Sequence, residues 1–103
     1  MKKTIKLSQL MPLLGNFDYV ENAPSRNGMN KAPNQFILYY DNGVVFQSYY
    51  SLIGVKVNGQ LYLTDNHDYS VTTSRFCGLW CGKNTSERRE GLENGTITLI
   101  EKD

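Results

Sequence analysis

The chain has 103 residues, with 11 Lys and Arg against 10 Asp and Glu, a formal charge of +1 and 40% hydrophobic residues. That length fits one compact domain spanning 1–103, in which folding buries roughly two-thirds of the unfolded surface and needs no obligatory cross-links. The balanced charge excludes both a strongly basic nucleic-acid coat and an acidic DNA mimic, and no apolar run reaches the length of a membrane span. The basic start Met1-Lys2-Lys3-Thr4-Ile5-Lys6 lacks the apolar stretch and cleavage site of a signal peptide, so a cytoplasmic setting is expected. Seven Tyr and ten Asn point to strands and turns respectively, hence to a β-rich domain.

In chain order, Thr4 to Leu7 reads as a short strand, and Pro12 limits a helix through Ser8-Gln9-Leu10-Met11 to about one turn. Residues 21–34, with two Pro, one Gly and four Asn, read as a loop. Gln35 to Tyr40 is a strand, Asp41-Asn42-Gly43 a hairpin turn and Val44 to Tyr50 the returning strand. Both carry apolar residues on two faces, as central strands do. A second hairpin follows. A three-residue loop Val57-Asn58-Gly59 is the preferred reading, because it pairs Val55 with Leu61 and Ile53 with Leu63 and turns every apolar residue one way. That register also lays Tyr62 over Gly54.

Thr72 or Thr73 is a plausible cap for a short helix carrying Phe76, Cys77, Leu79, Trp80 and Cys81, with Phe76 and Trp80 stacked and Gly82 as its stop. Asn84-Thr85-Ser86-Glu87 is a capping box opening a second helix to about Asn94, ended by Gly95. With Leu92 as its only good apolar residue, this helix should lie on the surface and pack weakly. Thr96 to Ile100 closes the domain as a strand with Ile97 and Leu99 inward. The expected class is α+β: a small antiparallel sheet of two hairpins, two short helices and one closing C-terminal strand. Its single core is expected to hold Ile53, Val55, Leu61, Leu63, Ile97 and Leu99.

No nucleophile, base and orienting group come together recognisably, and Gly43, Gly54 and Gly59 are hairpin glycines rather than a phosphate loop. A non-enzymatic protein is expected. The sharper constellation is His67, Cys77 and Cys81, which fall within fifteen residues. With Asp65 or Asp68 as the fourth ligand they would form a structural zinc site, tying the 65–71 loop to the first helix. The alternative is that both cysteines are small buried apolar residues. An i, i+4 spacing suits a disulfide poorly. Tyr39, Tyr49, Tyr50 and Tyr62 form a candidate partner-binding surface. They could instead stack unpaired bases, with Lys56, Arg75, Arg88 and Arg89 on phosphates, although Glu87 and Glu90 dilute that patch.

From about Phe46 to Ile100 the chain resembles a family of small proteins from phages, plasmids and related elements of low-G+C bacteria. The resemblance rests on Ser48-Tyr49-Tyr50-Ser51-Leu52-Ile53-Gly54, Asn58-Gly59-Gln60-Leu61-Tyr62-Leu63 and Asp68-Tyr69-Ser70-Val71-Thr72-Thr73-Ser74-Arg75, with Gly82, Glu87-Arg88-Arg89 and Glu93-Asn94-Gly95. In that family a polar Tyr-Ser-x-Thr-Thr stretch leads into a helix with a His and then an aromatic residue. Here Phe76 stands in the His position, Trp80 matches the aromatic, and the cysteines are not a family feature. The resemblance implies a cytosolic, non-enzymatic protein of a mobile element. By analogy with small proteins of such elements, it points to an anti-CRISPR inhibitor of a type II (Cas9) effector. Such a protein would cover a protein surface rather than imitate DNA. The alternative is a single-stranded nucleic-acid-binding accessory protein.

Overall fold

The computed structural model describes residues 1–24 and 31–102. In chain order they form β1 (Thr4–Lys6), α1 (Leu7–Leu10) running into a 3-10 turn (Met11–Leu14), β2 (Phe17–Pro24) and β3 (Lys31–Tyr40). Then come β4 (Gly43–Ser48), β5 (Ser51–Val57), β6 (Gln60–Leu63), a 3-10 turn (Asp65–Asp68), α2 (Val71–Cys81), α3 (Thr85–Asn94) and β7 (Thr98–Glu101). The strands make one seven-stranded sheet in the order β1-β7-β6-β5-β4-β3-β2. From β2 to β6 it is an antiparallel meander; β7 lies parallel to both β6 and β1.

This mixed sheet with three helices replaces the expected small antiparallel sheet of two hairpins, two helices and one closing strand. The short strand expected from Thr4 to Leu7 is present as β1, though without an expected place in the sheet, and β2 was not expected as a strand at all. β2 has Asp18, Glu21, Asn22 and Pro24 among its eight residues and lies on an edge, where one side of the backbone needs no protein partner. Its pairing with β3 makes it a strand, so the expected 21–34 loop is strand at 21–24 and 31–34, while 25–30 lies outside the described residues. β1 is held by parallel pairing to β7, 95 residues on, at Thr4↔Leu99.

The β5–β6 register also differs from expectation. Val55 pairs with Tyr62, Lys56 with Leu61 and Gly54 with Leu63 around a two-residue turn. Asn58 (φ 55°) and Gly59 (φ 73°) are both left-handed, as the Asn-Gly turn that matches strand twist requires. The apolar residues need not face one way, because both faces of the sheet are covered. On one face α2 and α3 enclose Phe46, Ile53, Leu63, Phe76, Cys77, Leu92 and Ile97. On the other, α1 and its 3-10 turn bury Leu10 and Leu14 against Val45, Val55, Val57 and Ile100. Val55 therefore belongs to a second core, while Leu61 and Leu99 pack at the margin of the first. A bulge opposite Phe46–Gln47 leaves Ile53 unpaired and turns it to the α2 face.

Trp80, not Tyr62, lies over Gly54, and it stacks on Phe46 (ring centroids 5.7 Å apart) rather than on Phe76. The α2 cap is Ser70, whose Oγ accepts the Thr73 N–H at 3.1 Å, two or three residues before the expected Thr72 or Thr73. Gly82 ends α2 in the left-handed region, and the Asn84–Glu87 capping box and Gly95 stop of α3 stand as read.

Candidate functional site

Two segments far apart in sequence meet at one end of the sheet. The first is the β4–β5 turn, Ser48-Tyr49-Tyr50-Ser51. Tyr49 holds φ 55°, a left-handed conformation uncommon outside glycine, and at this turn position glycine is usual. Its N–H donates to the Asn34 carbonyl at 2.6 Å, and its own carbonyl accepts Gln47 Nε2 at 2.7 Å. The strained turn throws Tyr50 wholly into solvent and leaves Tyr49 half-exposed. The second segment is the turn into α2, where Ser70 caps the helix and leaves Tyr69 80% exposed. The two are clasped by hydroxyls: Ser48 Oγ and Thr73 Oγ1 lie 3.1 Å apart, and Ser70 Oγ donates to Thr73 Oγ1 at 3.1 Å.

Between them lies a cleft of about 290 Å³, walled by Tyr49, Tyr50 and Tyr69 and floored by Ser48, Ile53 and Thr73. Tyr50 and Asn66 separate it from a wider depression of about 650 Å³. That depression sits beyond the carboxyl ends of the parallel strands β1, β6 and β7, lined by Leu7, Thr64, Asp65, Glu101 and Lys102 among others. The crevice outside the carboxyl ends of parallel strands is where open α/β sheets bind ligands.

A buried polar assembly holds the cleft wall. Arg88 is 1% exposed and donates Nε to His67 Nδ1 (3.0 Å), Nη1 to the Lys83 carbonyl (2.7 Å) and Nη2 to Ser74 Oγ (2.7 Å). Nη2 also reaches the His67 carbonyl and Thr85 Oγ1. One guanidinium thereby ties the 65–68 turn, α2 and α3 together, and Gly78 leaves the space it fills. Burial lowers the His67 pKa, and the Arg88 charge adds to that against the pull of Asp68, so the imidazole is a neutral acceptor here. Asp68 pairs with Arg89 at 2.7 Å, and that hydrogen bond holds its carboxyl below the usual range.

The zinc set is not assembled. His67 offers its Nδ1 to Arg88 and Asp68 is engaged by Arg89, while Cys77 and Cys81 are free thiols on α2. Among the described residues no group of three or more His, Cys, Asp or Glu stands together to hold a metal ion. The residues therefore do not fit a four-ligand zinc. What remains is the thiol pair. Cys77 is buried and Cys81 partly exposed one turn on; the neighbouring Cys77 lowers the Cys81 pKa to about 6 against its burial, while Cys81 and burial raise that of Cys77.

The four expected tyrosines do not share a surface. Tyr39 stacks on Tyr19 (4.6 Å), and its hydroxyl donates to Glu21 at 2.9 Å, which raises its pKa. Tyr62 packs into the α1 side of the sheet. Only Tyr49 and Tyr50 reach the cleft, joined by Tyr69, which the strand-based reading passed over. Of the proposed phosphate-binding cations, Arg88 is buried and Lys56 donates to the Trp80 carbonyl at 2.6 Å while lying over its ring. The signal for Arg88 was present in its spacing: Arg88, Gly91 and Leu92 at i, i+3 and i+4 share one helical face, and all three are buried.

The chain matches a family of unknown function, DUF8033, over residues 15–95 and belongs to it. The match begins well before the Phe46 start of the resemblance drawn from sequence and takes in β2 and β3. No curated protein and no solved structure matches the chain.

Proposed function

We propose that this chain is a non-enzymatic binding protein whose contact face is the Tyr49–Tyr50–Tyr69 cleft, used to cover a surface of a protein partner. The observation that carries this reading is the convergence of three solvent-facing tyrosines from two segments onto one rigid end of the sheet. Val71, also exposed, extends the apolar area. Tyr gives large amphipathic contact area at low entropic cost and is enriched in interface cores.

The resemblance of these same two segments to small proteins of phages and plasmids supports a host defence nuclease as partner, a type II Cas9-type effector first, met in the host cytoplasm. A net charge of +1 favours covering a protein surface over mimicry of DNA. Asp65 and Glu101 beside the cleft disfavour a nucleic-acid backbone there. Among the described residues no helix is long and apolar enough to cross a membrane.

The test is DNA cleavage by purified Cas9-type nucleases with equimolar protein, alongside capture of the nuclease on immobilised protein. Loss of cleavage by wild type, restored by Tyr50→Ala with Tyr69→Ala, is the expected result. Unimpaired cleavage by several such nucleases with no complex formed would overturn the nuclease as partner. Oligonucleotide binding that weakens steeply with salt would overturn the protein-surface reading in favour of nucleic acid.

A further inference from the structure

Arg88 brings a full positive charge into the interior with no carboxylate to meet it. Every hydrogen-bond partner of its guanidinium is neutral: His67 Nδ1, the His67 and Lys83 carbonyls, and the Ser74 and Thr85 hydroxyls. A buried cation without a counter-ion is costly. Its donors are also not all used. Nη1 carries two protons and meets one acceptor among the described residues, the Lys83 carbonyl. This nitrogen lies behind Gly78, 3.3 Å from where a Cβ would stand there.

Gly78 lines a shallow cavity of about 530 Å³ where α2 ends and α3 begins, with Ser74, Arg75, Leu79, Lys83 and Thr85 among the other lining residues. No carboxylate lines it. Ser74 Oγ and Thr85 Oγ1 each accept from Arg88 Nη2, at 2.7 and 3.2 Å, and lie 2.8 Å from each other. One hydroxyl donates to the other, so the second keeps a proton with no acceptor among the described residues. The guanidinium polarises that donor through the hydrogen bonds it makes. The Thr85 N–H, first in α3, is likewise without an acceptor, because the Asn84–Glu87 box serves only the Asn84 and Glu87 N–H groups. Arg75 and Lys83 are exposed, and among the described residues neither makes an ion pair.

Every polar side chain singled out here has a proton to give, and the net charge is positive. A group that only accepts and carries close to two negative charges matches it, which is a phosphoryl dianion. Leu79, 66% exposed, offers apolar contact to an organic body attached to that group. We propose that this cavity binds the phosphoryl group of a small phosphate ester. Arg75 and Lys83 pair with it, the Ser74–Thr85 hydroxyls and the Thr85 N–H donate to it, and the Arg88 charge acts through the hydroxyls. No residue lines both this cavity and the tyrosine cleft, so the site stands apart from the protein-partner reading. A nucleic-acid strand would need a basic groove that continues, and Glu87 and Glu90 interrupt it on α3.

The test follows amide resonances of the isotope-labelled full-length chain during titration with inorganic phosphate and with phenyl phosphate. Sodium chloride at the same ionic strength is the control. Saturable shifts at Ser74, Gly78, Lys83 and Thr85 are expected with both probes and not with chloride, with phenyl phosphate the tighter through Leu79. Arg75→Gln with Lys83→Gln should weaken binding by more than about tenfold. Both side chains are exposed, and Arg88 bonds only the Lys83 carbonyl, so the fold is kept. Should that variant fail to fold, the wild-type shifts still decide. An equal response to chloride, shifts centred elsewhere, or undiminished binding by the variant would overturn the site. Phenyl phosphate bound no tighter than inorganic phosphate would overturn the ester. A single-stranded oligonucleotide bound at the same amides more tightly than either probe would overturn the small ligand in favour of nucleic acid.

Discussion

Arg88 is the residue on which the cleft wall depends. Its five hydrogen bonds are spread over three elements, so no shorter cation can replace it: Lys presents a point charge where a planar fork is needed. Arg88→Met would leave His67 Nδ1 and the His67 carbonyl without their buried donor and should cost about 2–4 kcal/mol in urea unfolding. His67 makes the same assembly pH-sensitive. Its folded pKa lies below the ordinary 6.5 because of burial first. Below that ordinary value the unfolded chain takes up a proton that the folded chain refuses, so stability falls with pH until the folded pKa is reached. Asp68, lowered by Arg89, acts in the same direction in the acid range, where its contribution is lost as pH drops through its folded value. The melting temperature should therefore decline between pH 7 and pH 5. His67→Asn, whose Oδ1 can still accept the Arg88 Nε proton, should decline less.

At the scale of elements, α2 sits where it does because β5 has no side chain at Gly54. A Cβ there would stand 2.8 Å from both Leu63 Cδ2 and Trp80 Cζ3. Gly54→Ala should cost about 1–3 kcal/mol by overpacking and alter the near-ultraviolet signal of Trp80. Gly59 has open space around it but a φ of 73°. Gly59→Ala should therefore cost about 1–2 kcal/mol from the backbone alone, measured by the same urea unfolding. Cross-strand proton contacts between Val55 and Tyr62, rather than Val55 and Leu61, check the register directly.

At the scale of the whole molecule, the two helix layers bury both faces of the central strands and leave aromatic surface at the sheet end. Tyr50 is wholly exposed, and Tyr69 nearly so. Tyr50→Ala with Tyr69→Ala should change folding stability by less than about 0.5 kcal/mol per site and yet abolish partner capture. A drop in melting temperature as large as that of Arg88→Met would mean these rings serve the fold instead.

Local chemistry determined the pieces that a few neighbouring residues decide. The Asn84–Glu87 box, the glycine stops at Gly82 and Gly95, the one-turn α1 before Pro12 and the strand runs from Gln35 to Leu63 were all legible, because caps, turns and alternation act within a few residues. The candidate site was half legible. Tyr49 and Tyr50 stood out as aromatics, and the Tyr69-Ser70-x-Thr-Thr run as a motif, but nothing local says that a Ser48–Thr73 contact brings them together across 25 residues. Tertiary structure alone decided the membership of β1 and β2, the second core behind Val55, the bulge at Ile53 and the fate of Arg88. Each turns on a partner distant in sequence. A polar edge strand becomes a strand only when another pairs with it, and an arginine enters a core only when enough acceptors from other elements surround it.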